Sequence, residues 1–479
     1  MLWLALRFAS LPLEVYARAA CDNLPLAVAG SIGPRTQIIA CNETARARGI
    51  KPAMPATAAS ALVSDLRIVP RNSAAEHAAL DRIAAWAVQF TPAVSIARPE
   101  EVLLEIEGSL ALFGGLNPLR RDLEKGLRAL GYVAAISSAP TPLAAQWFAR
   151  AGLAVMLRHT DALRISLPDL PLEVMRIAPD ALALLHNLGA KTVGDCLALP
   201  RDGLARRLGQ ALLDELDRAL GKLADPRLFF TPPTVFRSAQ PLPAPAAEAE
   251  MLLFAARRLL LELCGYLSAT VNGAQALCFT FEHHGREPTR LTLTLVSATR
   301  DVDHLTAVLR EKLERTALPC PATAITLESE LLLPLASRNL SLLPDAGQHE
   351  EAATQLIERL RARLGDDAVL GLKRFADHRP ECAWRPCQPG SKDTGAAAVA
   401  SRPLWLLAKP RALAQVADAP CYEGRLRLLA GPERIESGWW DGNDVMRDYF
   451  VASNPAEAML WIYRERNPGA RWFLHGFFA

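Results

Sequence analysis

The feature that most constrains this chain is the alternation of short apolar runs with amphipathic segments over residues 1–165. Residues 2–8 alternate loosely and predict a buried strand, after which LPLEVYARAA begins a helix. PLAVAG and TQIIAC predict two strands, and the helical signals of NETARARGIKPAMPATAASAL are broken at Gly49 and Pro52. AEHAALDRIAAWAVQFT is an amphipathic helix with Leu80, Ile83, Trp86 and Ala87 on one face. VLLEIEG predicts a strand with acids at alternate positions, PLRRDLEKGLRAL a helix, YVAAISS a strand, and TPLAAQWFARAG a helix with Pro142 near its start. The order β-α-β-β-α-α-β-α-β-α implies an α/β or α+β unit.

Beyond it, residues 166–225 are predicted helical, and the Pro-rich stretch 231–250 a linker. A compact α+β domain follows, with a helix at AEMLLFAARRLLLELCGYLSA, strands QALCFTFEHH and RLTLTLVSA, helix VDHLTAVLREKLERT and strand ITLESELLLPL. Another helix, TQLIERLRARLGDDAVLGL, leads to a flexible linker at 380–402, and residues 403–479 are dense in aromatics. A length of 479 residues and 51% hydrophobic content allow three or more domains.

The net charge of +2 gives no global field that would dictate a polyanionic partner, so nucleic-acid contacts must come from local patches. The nine cysteines are scattered, and Cys382 and Cys387 lack the second pair or His spacing of a zinc site. Reduced thiols are expected, with no metal and no cofactor. The apolar start is short, carries Arg7 and lacks a cleavage site, which argues against a signal peptide. No apolar run approaches the ~20 residues that span a bilayer. The expected location is the cytoplasm.

The segment LLHNLGAKTVGDCLALPRDGLARRLG, residues 184–209, has a helix-hairpin-helix pattern. Gly189 allows the tight turn, Thr192 starts the second helix, and Gly194 follows it. Free backbone N–H groups at such a turn would face outward and bind a DNA phosphate without reading sequence. Lys191, Arg206 and Arg207 favour DNA over an ordinary helical turn.

The wider arrangement resembles the Y-family translesion DNA polymerases. Their palm motif "DEAYLD" is matched by EEVLLE, with Glu100, Glu101 and Glu105. Their finger segment "YEARxxGV" is matched by ETARARGI, which keeps Arg46 but places Glu43 where a triphosphate-contacting Tyr belongs. Their "PNKxxAK" becomes PTPLAAQ, which loses both lysines, to Pro142 and Gln146. The first strand offers Leu6, Arg7 and Phe8, and the first acid in the chain is Glu14. Two-metal phosphoryl transfer needs carboxylates on adjoining strands, so Glu101, Glu105 and Arg46 are only vestigial site candidates, and a solvated strand face is the expected state of the three glutamates. The resemblance implies a right hand. Residues 1–165 would be palm and fingers (fingers roughly 11–74), 166–230 a helix-hairpin-helix thumb, and 236–345 a little finger. Residues 346–402 would be helix and flexible linker, and 403–479 a partner-binding module.

The ImuB-type mutasome branch of the family is similar in its departures as well, through LWLALRFASLPLE, LLEIEGSLALFGG, APTPLAAQWFA and the tail GPERIESGWWDG…RDYFVA…LWIYRER…RWFLHGFFA. This resemblance implies a catalytically silent hub of SOS, damage-induced mutagenesis and DNA repair by translesion synthesis. It would work with an error-prone replicative-type polymerase subunit and an ImuA-type, RecA-like protein. Such hubs dock on the sliding clamp through a peptide resembling "QL[SD]LF". Asn339, Leu340, Ser341, Leu342 and Leu343 stand at a domain exit where that peptide would lie. In the tail, part of the aromatic set must build a small β-rich core, and Trp439, Trp440, Trp461 and Trp472 are candidates for a partner surface. Arg464, Arg466 and Arg471 leave single-strand stacking open. His475 is lone and expected to be structural. The competing readings are a low-efficiency Y-family polymerase using displaced acids and a plain DNA-binding module.

Overall fold

The computed structural model describes the chain apart from residues 19–23, 33–34, 336–345, 392–401, 467–468 and 479. Residues 1–363 form one compact unit and residues 364–479 a second.

The first unit begins with β1 (Trp3–Arg7), α1 (Leu11–Ala17), β2 (Leu26–Ile32), β3 (Arg35–Cys41), α2 (Glu43–Ala47), α3 (Ala56–Leu62) and β4 (Arg67–Pro70). It continues through α4 (Ser73–Ala87), β5 (Val94–Ala97), β6 (Glu101–Glu105), α5 (Leu116–Leu130), β7 (Ala135–Ala139) and α6 (Pro142–Arg150). β1 is central in an antiparallel sheet of order β5-β6-β1-β7. Leu4, Leu6, Val102 and Leu104 pack on α4 and α5. Trp3, Ala5, Leu103 and Ala139 pack on the other face, against Trp147 of α6. Both faces are covered, which explains why β1 is an almost unbroken apolar run. A separate sheet of order β3-β2-β4, backed by α2 and α3, forms the finger-like lobe.

β4 and β5 are absent from the sequence expectation. Each has four residues, too short for a clear period of two, and each lies at a sheet edge.

Five short helices build the thumb-like region and complete the core around Trp147: α7 (Thr160–Ser166), α8 (Pro179–Asn187), α9 (Val193–Ala198), α10 (Arg201–Leu208) and α11 (Gln210–Ala219). The little-finger-like part follows as β8 (Arg237–Ala246), α12 (Ala249–Thr270), β9 (Asn272–His283), β10 (Arg286–Thr299), α13 (Val302–Arg315), β11 (Ala322–Pro334) and α14 (Ala346–Leu364). Its sheet has the order β10-β9-β11-β8. The linker expected over 231–250 is therefore in part a strand. Arg237–Pro241 pair in register with Glu328–Ala324 of β11, and the ladder turns irregular beyond Pro241, where the edge strand is proline-rich. α14 does not leave this domain. Glu358 accepts from the Val296 and Ser297 N–H groups and pairs with buried His304, and Ala362 enters the domain core.

The second unit holds a hairpin of β12 (Gly371–Arg374) and β13 (Trp384–Cys387), so the flexible segment expected from residue 380 begins as ordered structure. Beyond it come β14 (Trp405–Ala412), β15 (Ala414–Val416), β16 (Ala419–Cys421), β17 (Arg427–Ser437), β18 (Val445–Ser453), β19 (Met459–Glu465) and β20 (Trp472–Phe477). Five of these form a sheet of order β14-β20-β19-β18-β17, with aromatic clusters on both faces. Among the described residues, no helix is long and apolar enough to cross a membrane.

Glu14 is buried on α1, where one carboxylate oxygen accepts the Val133 N–H at 3.0 Å. Burial pushes its pKa up from 4.5 to about 7. Between those values the folded chain keeps a proton that the unfolded chain has lost, so stability falls as pH rises from about 4.5 to about 7. Glu14→Gln keeps the acceptor and removes the titration. Its melting temperature relative to the parent should be higher at pH 8 than at pH 5, by an amount worth about 1–3 kcal/mol. Equal offsets at the two pH values would contradict this.

Candidate functional site

The end of β1 places Arg7 opposite Glu101 on β6. Arg7 Nε donates to Glu100 Oε1 at 2.7 Å, and Arg7 Nη1 to the Arg150 carbonyl at 2.6 Å. Glu101 has no exposed surface. Arg150 grips it in bidentate fashion, Nε to Oε1 at 2.6 Å and Nη2 to Oε2 at 2.9 Å, and Gln146 Nε2 adds a bond to Oε2 at 2.6 Å. Arg176 also pairs with Glu100, and Arg150 Nη1 donates to the Val174 carbonyl at 2.8 Å. The palm strand is thereby tied to the start of the thumb-like region.

The three glutamates are not a solvated strand face. Glu101 is enclosed, Glu100 is largely covered by two guanidiniums, and Glu105 accepts the Leu2 and Glu107 N–H groups. Glu105 lies four residues along the strand from Glu101, about 13 Å at strand rise, too far to share an ion with it. Arg46 lies exposed on α2 in the finger-like lobe. Magnesium requires several free oxygens in near-octahedral array. Here the oxygens of Glu100 and Glu101 are engaged by Arg7, Arg150, Arg176 and Gln146, so this set does not suit the ion.

At the helical hairpin, Gly189 takes the left-handed turn expected of it, with φ of 87°. The outward N–H groups, however, are already used. Asp195 and Thr192 form a capping box, in which Asp195 Oδ2 accepts from the Lys191 N–H at 2.9 Å and the Thr192 N–H at 3.0 Å. Val193 donates to the Leu170 carbonyl and Gly194 to the Pro168 carbonyl. Gly194 is needed for that close approach, since a Cβ would come within 2.8 Å of Pro168 Cβ. These backbone bonds hold the Asp195 carboxyl below its usual range, and its charge sits where a phosphate would have to be. The side chains of Lys191, Arg206 and Arg207 are exposed, whereas the backbone amides of the turn are not free. The signal for this was Asp195 itself, three residues after Thr192.

The four tail tryptophans divide. Trp461 and Trp472 are buried, because strand alternation turns them into the two aromatic clusters, so neither reaches a partner. Trp461 stacks on Tyr449 at 4.2 Å, and His475 packs beside both and shares a 2.8 Å bond with the Tyr449 hydroxyl. Burial drives the His475 pKa down to about 4, as expected of a structural histidine. Trp439 and Trp440 lie in the turn after β17 and are 79% and 58% exposed. Buried Arg379 braces that turn, donating to Asp377, Asp441 and the Asn443 carbonyl. The clamp-type residues Asn339, Leu340, Ser341, Leu342 and Leu343 lie outside the described residues.

The hand-like fold and the acidic β6 strand define a relative of the Y-family polymerases, and the impB/mucB/samB family matches residues 10–150. DNA polymerase IV of Aeromonas hydrophila is 28% identical over 215 residues, 44% of this chain and 58% of that protein. Protein ImuB of Caulobacter vibrioides is 30% identical over 471 residues, 90% of this chain and all of that protein. The chain belongs to the ImuB family. Among solved structures, the insertion ternary complex of Dbh DNA polymerase is similar with a TM-score of 0.41 and 17% identity, over 70% of this chain and all of that one. DinB from Sulfolobus solfataricus gives 0.39 and 17%, over 69% of this chain and 98% of that one.

Glu101→Ala should destabilise the first unit by about 3–5 kcal/mol, because it leaves Arg150 buried beside no anion. Denaturant unfolding checks this, and a loss below about 1 kcal/mol would mean that the pair is solvated. Asp195→Ala should release two backbone N–H groups and remove a charge. Duplex affinity at low salt should then rise several-fold; an unchanged or weaker affinity would exclude the hairpin turn as a phosphate contact.

Proposed function

We propose that this chain is a non-catalytic scaffold of a bacterial damage-induced translesion synthesis complex. It tethers an error-prone replicative-type polymerase subunit and an ImuA-type, RecA-like partner to the sliding clamp and to DNA. One observation carries the reading: the Arg7 guanidinium stands on the first palm strand, where a polymerase needs a carboxylate, and pairs with Glu100. A cation there opposes metal binding and gives the remaining acids a structural task. Membership of the ImuB family supports the same reading.

DNA is held through Lys191, Arg206 and Arg207, in contacts to phosphate that carry no sequence information. The clamp is bound by residues 339–343, and Trp439 with Trp440 forms the partner contact of the tail, presented by a braced turn. Joining weak contacts on one chain raises the effective concentration of each partner without tight pairwise binding.

Primer extension with magnesium or manganese should give no product. Extension that disappears in Glu101→Gln would overturn the scaffold reading. In a clamp pull-down, changing Leu340, Leu342 and Leu343 to Ala should abolish capture while the circular dichroism spectrum stays unchanged. Full capture by that variant would remove the clamp from the proposal.

A further inference from the structure

The little-finger-like domain is joined to the palm by more than the chain that connects them. Trp86 projects from α4 into a socket walled by two glycines. A Cβ on Gly265 of α12 would come within 2.3 Å of Trp86 Cδ1, and one on Gly126 of α5 within 2.3 Å of Trp86 Cζ2. Leu261 of α12 packs into the palm core beside it.

A buried polar cluster adjoins the socket. Arg18, just past α1, donates Nη2 to Glu262 Oε1 on α12 at 2.6 Å and Nη1 to the Tyr132 hydroxyl at 2.6 Å. Its guanidinium carbon lies 4.6 Å from the centre of the Tyr132 ring. Ser238 on β8 donates to Glu262 Oε2, and Arg82 on α4 stands 3.6 Å from the same oxygen. Arg18 and Glu262 are both almost wholly enclosed, although they come from different domains.

Two such charges can leave water only when they meet in one geometry, since either one buried alone is strongly unfavourable. The glycine socket imposes the same position through shape, because any side chain at 126 or 265 would wedge the helices apart. A mobile contact would need neither feature. We propose that Arg18, Trp86 and Glu262 form a permanent latch that holds the little-finger-like domain on the helical face of the palm, with and without DNA. Residues 1–363 then form one rigid platform.

The test uses the full chain with a specific protease site inserted between Thr231 and Pro232, in the exposed connection. After cleavage, the parent halves should co-elute in gel filtration at micromolar concentration, alone and with a short primed duplex. Glu262→Gln and Gly265→Ala act on charge and on shape respectively. Each should weaken the association of the halves about a hundredfold, so that they separate, while circular dichroism before cleavage matches the parent. Parent halves that part on cleavage, or on addition of duplex, would overturn the latch. So would halves that stay together in both variants.

Discussion

A carboxylate with no access to water must be matched by a cation or a proton, and the organisation of the palm follows from how Glu101 meets that demand. It recruits Arg150 and Gln146 from α6, while neighbouring Glu100 takes Arg7 from β1 and Arg176 from the thumb-like entry. The partners come from three separate stretches of chain. The cluster therefore fixes strand, helix and thumb-like region together. The acidic pair Glu100 and Glu101 thus joins elements of the fold.

The same chemistry recurs away from the palm. At the helical hairpin, Asp195 accepts the N–H groups that could otherwise meet a phosphate. In the second unit, Arg379 is enclosed and neutralised by Asp377 and Asp441, and the turn it braces carries two exposed tryptophans. Internal pairing makes each site rigid, and it also decides which groups stay exposed. At the hairpin these are long basic side chains; at the tail they are indole rings.

Much of this was legible from local pattern. The helices around Trp86 and Leu123, the strands around Leu4 and Phe279, and the aromatic core of the tail follow from periodicity, because one side of each element must be buried. The absence of an acid before Glu14 and the Arg at position 7 were equally plain. Short edge strands such as Val94–Ala97 were not, since four residues carry too little periodicity. The Pro-rich edge strand Arg237–Ala246 was hidden because alternating prolines resemble a linker until a neighbouring strand defines the edge.

By itself the sequence determined the family, the order of the longer strands and helices, and a first strand that carries Arg7 and no carboxylate. These depend on residue identity and on spacing within a few turns of chain. Only the tertiary structure decided that Glu101 is enclosed, that Trp461 and Trp472 are core while Trp439 and Trp440 are surface, and that the Val193 and Gly194 amides of the hairpin meet the Leu170 and Pro168 carbonyls. The physical reason is common to all three. Burial and hydrogen-bond satisfaction depend on groups brought together from distant parts of the chain, as Gln146 is to Glu101 and Arg18 to Glu262, and no local pattern records which distant groups will meet.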